Sequence, residues 1–251
     1  MPRFFVEEPR PTDGFLELTG ENAAHAKVLR LRPGDDVTVC DGAGMDYRCS
    51  VLTAAPDRLT LQVRSAWPSY TEPRVRITLF LAFPKLDKLE HVVMKATELG
   101  ADGVVAFPSA RCVSRPDGPS LSKKLDRWRR IAASAAEQSG RGRIPEVSAA
   151  ASLEEALHQA SERELPLFFY ENEKDASLRK RTEGTRFSTA AIVTGPEGGF
   201  TEAEAGLARE LGLLVCTLGP RILRCETAPL CALSALLYAS GELESVNERG
   251  G

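Results

Sequence analysis

Three charged side chains, Glu197, Arg224 and Glu226, stand on two loops otherwise built largely of glycine, proline and small residues. The first loop is Thr194-Gly195-Pro196-Glu197-Gly198-Gly199-Phe200-Thr201-Glu202. The second is Leu218-Gly219-Pro220-Arg221-Ile222-Leu223-Arg224-Cys225-Glu226-Thr227-Ala228. Glycine admits positive φ and lets backbone approach a ligand closely, and Pro196 and Pro220 stiffen the turns. Such loops suit a small molecule held by main-chain donors and acceptors. An arginine there can stabilise developing negative charge, and a carboxylate can accept a proton or cap nearby N–H groups. Neither loop is a phosphate cradle, since no Gly-Lys-Ser/Thr follows and GxGxxG is absent.

Each loop follows a short apolar run (190–193 and 213–216) and precedes a helical pattern (201–211 and 227–242). Strand, loop, helix thus occurs twice, and ligands of open α/β sheets sit outside the C-terminal strand ends. Upstream, residues 75–83, 103–107 and 165–169 read as buried strands. Leu86, Leu89, Val93 and Ala96 predict a helix over 85–99, closed by Gly100. Ser120 is expected to cap a helix with Leu121, Leu125, Trp128, Ala132 and Ala135 on its apolar face, and a further helix falls near 152–163. About five strands interleaved with helices predict an α/β domain with a mostly parallel sheet over 74–246. Residues 1–70 differ: short strands at 3–6, 15–18, 36–40, 47–53 and 59–63, split by turn signals and one helix at 21–31, predict a small β-barrel. Residues 67–73, with two prolines, read as the linker.

The chain has 251 residues, 43% hydrophobic and 27% charged, with net charge −3. These values suit globular domains and do not advertise nucleic acid. Local placement does. Residues 111–143 carry nine Lys/Arg against Asp117, Asp126 and Glu137, a candidate surface for phosphate contact. Arg141 and Arg143 sit there on what reads as a flexible loop after a helix end. No apolar leader or membrane-length segment stands out, so a cytoplasmic protein is expected. The six cysteines show no CxxC and no metal spacing with the histidines, so reduced thiols and no metal site are expected. In the last helix Ala228, Ala232, Ala235 and Ala239 form a small-residue stripe beside Leu230, Leu233 and Leu237. That stripe suits packing within the domain or a two-fold dimer seam.

The two loops together resemble the family of 16S rRNA uridine-N3 methyltransferases of the SPOUT class. The resemblance extends to Arg3-Phe4-Phe5-Val6, to residues 25–35 from His25 to Asp35, to residues 95–101 and to residues 136–141. Cys225 departs from the pattern, which more often has Thr there, and a thiol is the poorer hydrogen-bonding group. The resemblance implies an N-terminal PUA-like RNA-binding barrel, a C-terminal domain with a deep trefoil knot, and a homodimer paired through the knot and last helix. It implies S-adenosyl-L-methionine as cofactor, bound by Thr194, Gly195, Pro196, Glu197, Gly198, Gly199, Leu218, Gly219, Ile222, Leu223, Arg224, Thr227 and Ala228. It also implies 16S rRNA as partner, met by Arg3, His25, Arg30, Arg32, Lys85, Arg111, Arg141 and Arg143. The chemistry is methylation of uracil N3, which must lose a proton to become nucleophilic. Arg224 is expected to stabilise the uracil anion, and Glu226 or Glu197 either takes the proton or caps backbone. Glu98 either pairs with Lys95 or reaches the pocket. Ribose 2′-O methylation, and a non-catalytic RNA-binding role, are the alternatives.

Overall fold

The computed structural model describes residues 1–6, 9 and 11–244; the expected end of the second domain, 246, lies outside them. The chain divides into two compact units, Met1–Glu72 with Ala136–Ile144, and Pro73–Ala135 with Pro145–Gly251.

The first unit is a five-stranded sheet of β1 (Arg3–Phe5), β2 (Phe15–Thr19), β3 (Asp36–Cys40), β4 (Met45–Ala54) and β5 (Arg58–Pro68), with α1 (Gly20–Val28) between β2 and β3. Strand order is β1-β3-β4-β5-β2, parallel only between β1 and β3. Alternating apolar residues bury Phe4, Leu18, Val37, Val39 and Leu61 as its core. β5 runs on through Trp67 and Pro68, so the expected linker begins later than its prolines suggest.

Two arginines expected to meet RNA are internal to this unit. The Arg141 side chain is 5% exposed and donates to Glu72 Oε2 at 2.6 Å. The same carboxylate accepts the main-chain N–H groups of Gly142 (2.9 Å) and Arg143 (3.2 Å). Arg3 Nη1 donates to Asp46 Oδ1 (2.8 Å) and to the Arg141 carbonyl (3.1 Å). A side chain at Gly142 would collide with Ser69. The loop read as flexible is therefore packed, because burying a guanidinium demands a paired carboxylate and close walls.

The second unit contains β6 (Arg76–Ala82), α2 (Lys88–Leu99), β7 (Gly103–Phe107), α3 (Gly118–Ser139), β8 (Glu146–Ala149), α4 (Leu153–Ser161), β9 (Leu165–Phe169), α5 (Leu178–Thr182), β10 (Thr189–Thr194), α6 (Glu202–Glu210), β11 (Leu214–Cys216) and α7 (Thr227–Ala239). The last turn of α3 belongs to the first unit. The sheet has six strands in the order β11-β9-β10-β6-β7-β8, and every pair is parallel. Its central strands are apolar runs buried on both faces, as a sheet covered by helices requires.

Several local expectations change. Leu86 is 85% exposed with φ +57°, so α2 starts at Lys88 rather than 85. Ser120 lies inside α3, whose start is held by the Asp117 carboxylate accepting the Ser120 N–H at 3.0 Å. β8 and α5, both short, carry too little periodicity to be foreseen. On α7, Ala232 is buried beside Leu233, Leu236 and Leu237, whereas Ala239 is exposed, so the alanine stripe straddles the helix. Glu98 pairs with Lys95 at 2.8 Å. Among the described residues no helix is long and apolar enough to cross a membrane, and no group of three or more His, Cys, Asp or Glu side chains could hold a metal.

Candidate active site

The C-terminal ends of β9, β10 and β11 open into a cleft of about 410 Å³. From β9 come Phe169, Tyr170 and Glu171. From β10 come Thr194, Gly195, Pro196, Glu197, Gly198 and Gly199. After β11 come Thr217, Leu218, Gly219, Arg221, Ile222, Leu223, Arg224, Cys225 and Ala228, and Lys88 enters from the start of α2. Of the residues expected to hold a ligand, only Thr227 is outside the lining. It is the exposed first residue of α7, and its N–H donates to the Arg224 carbonyl at 2.8 Å.

Local chemistry shapes the first loop. Thr201 and Glu204 form a capping box at α6, with Thr201 N–H donating to Glu204 Oε2 (2.7 Å) and Glu204 N–H to Thr201 Oγ1 (3.2 Å). Glu204 is buried, and its other oxygen accepts the Ala110 N–H at 2.8 Å. Arg111, expected to meet RNA, instead braces this loop: Nη1 donates to the carbonyls of Gly198 (2.8 Å) and Phe200 (3.0 Å). Gly199 has φ +65°, and a Cβ there would run into the Glu171 carboxylate. Phe200 anchors the far end, fully buried against Phe168 with ring centroids 4.3 Å apart.

One ion cluster joins the two loops. Lys88 Nζ lies 3.0 Å from Glu197 Oε1 and 3.2 Å from Glu226 Oε2. It also points to Cys225 Sγ at 3.7 Å, and that thiol donates to Glu226 Oε2 at 3.2 Å. The Lys85 main-chain N–H donates to Glu197 Oε1 at 3.0 Å. Burial opposes ionisation of both glutamates, but main-chain N–H groups and Lys88 outweigh it and hold each below the usual carboxylate range. The Lys88 ammonium is held charged, chiefly by Glu197. Burial, and then the bond to Glu226, push the Cys225 thiol up to about 12, so it is neutral at physiological pH. Two expectations change. Glu226, the N-cap residue of α7, makes no side-chain cap bond, and it is outside the cleft lining. Both glutamates are engaged anions, which makes them weak bases. By contrast Arg221 and Arg224 line the cleft with no side-chain partner among the described residues.

None of the remaining expected RNA contacts lines this cleft. Lys85 is exposed on the loop before α2. In the first unit Arg30 and Arg32 are exposed, and His25 Nδ1 lies 3.7 Å from Glu137 Oε2. Arg143 is exposed, with Nη2 donating to the Ala43 carbonyl at 3.2 Å. Sequence reasoning missed Lys88, Tyr170 and Glu171. Lys88 and Glu171 each lie a few residues past a strand end, the signal that would have found them.

A parallel α/β sheet with two glycine loops at its strand ends, neither carrying a phosphate-binding motif, agrees with an RNA methyltransferase domain. The profile of that description matches residues 71–237, and the profile of the RNA methyltransferase PUA domain matches residues 18–64. The chain belongs to the ribosomal RNA small subunit methyltransferase E family. It is 36% identical over 250 residues to the Bacillus subtilis protein of that name, covering 95% of this chain and 96% of the relative. It is 33% identical to the Mycobacterium bovis protein, covering 93% and 90%. The Neisseria gonorrhoeae enzyme of the same name, solved bound to S-adenosyl methionine, superposes with TM-score 0.82 at 31% identity, covering 95% and 97%. A Legionella pneumophila methyltransferase solved with its bound cofactor SAM gives TM-score 0.84 at 29% identity, covering 94% and 97%.

Proposed function

We propose that this chain methylates N3 of a uridine in 16S (small-subunit) rRNA with S-adenosyl-L-methionine as donor. The observation that carries the reading is Arg224, a cation with no side-chain partner among the described residues, in a cleft whose walls are glycine backbone, Phe169, Leu218, Ile222 and Leu223. Those walls suit adenine and ribose, with main-chain groups of the two glycine loops at the edge of the cleft. When bound, the cofactor supplies a methyl on a sulfonium, which becomes a thioether as the methyl leaves. Uracil N3 attacks that carbon after losing its proton, and its charge spreads to O2 and O4. In this reading Arg224 stabilises that anion. Glu197 and Glu226 are already engaged by Lys88, so in this reading the proton passes to solvent. N3 lies on the pairing edge, so the uridine must be unpaired or flipped out.

In the same reading the first unit holds folded RNA through His25, Arg30, Arg32 and Arg143, with Lys85 contributing from the second. A trefoil knot through the two loops, a homodimer formed through it and α7, and a cytoplasmic location complete it. The test is nucleoside mass spectrometry of small-subunit rRNA from a strain lacking the chain. N3-methyluridine should be absent, return with the wild-type chain and stay absent with Arg224→Ala. Loss of a 2′-O-methylated nucleoside instead would overturn the N3 assignment.

A further inference from the structure

Lysine is an unfavourable residue for the first turn of a helix, where the backbone N–H groups already present positive charge. Lys88 occupies that place in α2, and two carboxylates surround it: Glu197, from the loop after β10, and Glu226, from the loop after β11. Its three N–H donors point at Glu197, Glu226 and the Cys225 sulfur. Among the described residues no other side-chain ion pair joins the two loops.

We propose that Lys88 is a positioning residue of the methyl-transfer site, which sets the spacing of the two cleft loops and balances one of two carboxylates beside the cationic donor. The proposal rests on the cofactor reading above. Two glutamates and one ammonium leave a single net negative charge in the cluster. The sulfonium is cationic and the thioether product is neutral, so unbalanced carboxylates would favour the donor over the product. That preference stabilises the state before transfer and opposes the step that discharges the sulfur. Lys88 holds it in check while tying the loops together. Glu171, Arg221 and Arg224 also line the cleft, but the cluster's side-chain hydrogen bonds and ion pairs run among Lys88, Glu197, Cys225 and Glu226.

The test titrates the full chain calorimetrically with S-adenosylmethionine and, separately, with S-adenosylhomocysteine. These ligands differ only in the methyl group and the charge on sulfur. Lys88→Met should weaken both by about tenfold or more, as the loops lose their common tie. It should also raise the ratio of donor to product affinity about threefold or more, because two carboxylates then stand unbalanced. Lys88→Arg should keep the ratio within about twofold of wild type, since the charge is retained. Unchanged affinities for Lys88→Met, or equal losses with the ratio unmoved, would overturn the proposal. Should Lys88→Met fail to fold, Glu197→Gln supplies the reverse arm: the ratio should fall, and an unmoved ratio counts against Lys88. A wild-type chain that binds neither ligand would overturn the cofactor reading itself. Wild-type binding with an unmoved ratio in the variants would overturn only this proposal.

Discussion

Replacing Arg141 with methionine removes one partner of an ion pair whose side chains are 5% and 15% exposed. Breaking a buried pair costs about 3–5 kcal/mol, mostly because the remaining charge stays desolvated. Glu72 keeps the N–H groups of Gly142 and Arg143, which places the expected loss near the lower end, about 3 kcal/mol. Trp67 on β5 reports on the first unit once Trp128 is changed to phenylalanine, since these are the two tryptophans of the chain. In that background Arg141→Met should lower the urea midpoint by about 1.5 M at a slope of about 2 kcal/mol/M. Adding Glu72→Gln removes the stranded carboxylate and should return part of the loss. RNA binding supplies the contrast. Arg143 is exposed, so Arg143→Ala should reduce the salt dependence of RNA affinity by about 0.7–0.9 in log–log slope. Under conditions where Arg141→Met remains folded, it should leave that slope alone. A stability loss for Arg141→Met below about 1 kcal/mol, far short of a broken buried pair, together with a reduced salt slope, would refute the reasoning and return Arg141 to the RNA surface.

Gly199→Ala places a Cβ at φ +65° and displaces the Glu171 carboxylate. It should cost about 1–2 kcal/mol, read as a lowered melting temperature, and weaken cofactor binding. Adding Glu171→Ala should leave most of the cost in place, because the backbone conformation remains. Arg224→Ala should abolish turnover while calorimetry finds cofactor affinity within several-fold of wild type; complete loss of binding would make Arg224 part of the cofactor site's framework instead. Alkaline pH should destabilise the fold. Burial pushes the thiols of Cys49 up to about 11 and Cys216 up to about 12, and Cys225 likewise stands at about 12. Unfolded thiols ionise near about 8.5. Between those values the folded state holds more protons than the unfolded, so stability falls as pH rises from about 8.5 towards 12. Urea midpoints at successive pH values check the sign, and a midpoint that climbs over that window would contradict it.

Sequence alone determined what neighbouring residues settle among themselves. Short apolar runs followed by Gly-Pro turns and helical periodicity read as strand, loop and helix because each signal lies within about a dozen residues. The Gly100 helix end and the cleft-forming loops were legible for that reason. Tertiary structure alone decided which charges meet. Arg141 and Arg143 look alike in sequence, yet one is buried on Glu72 and the other is exposed. Arg111 sits in a basic span but braces Phe200, 89 residues away. Lys88 and Cys225, 137 positions apart, meet in the cluster that also engages Glu197 and Glu226. A charge takes its role from the partner that offsets its desolvation, and for Arg141, Arg111 and Lys88 that partner lies on a distant stretch of chain that only the folded unit brings near.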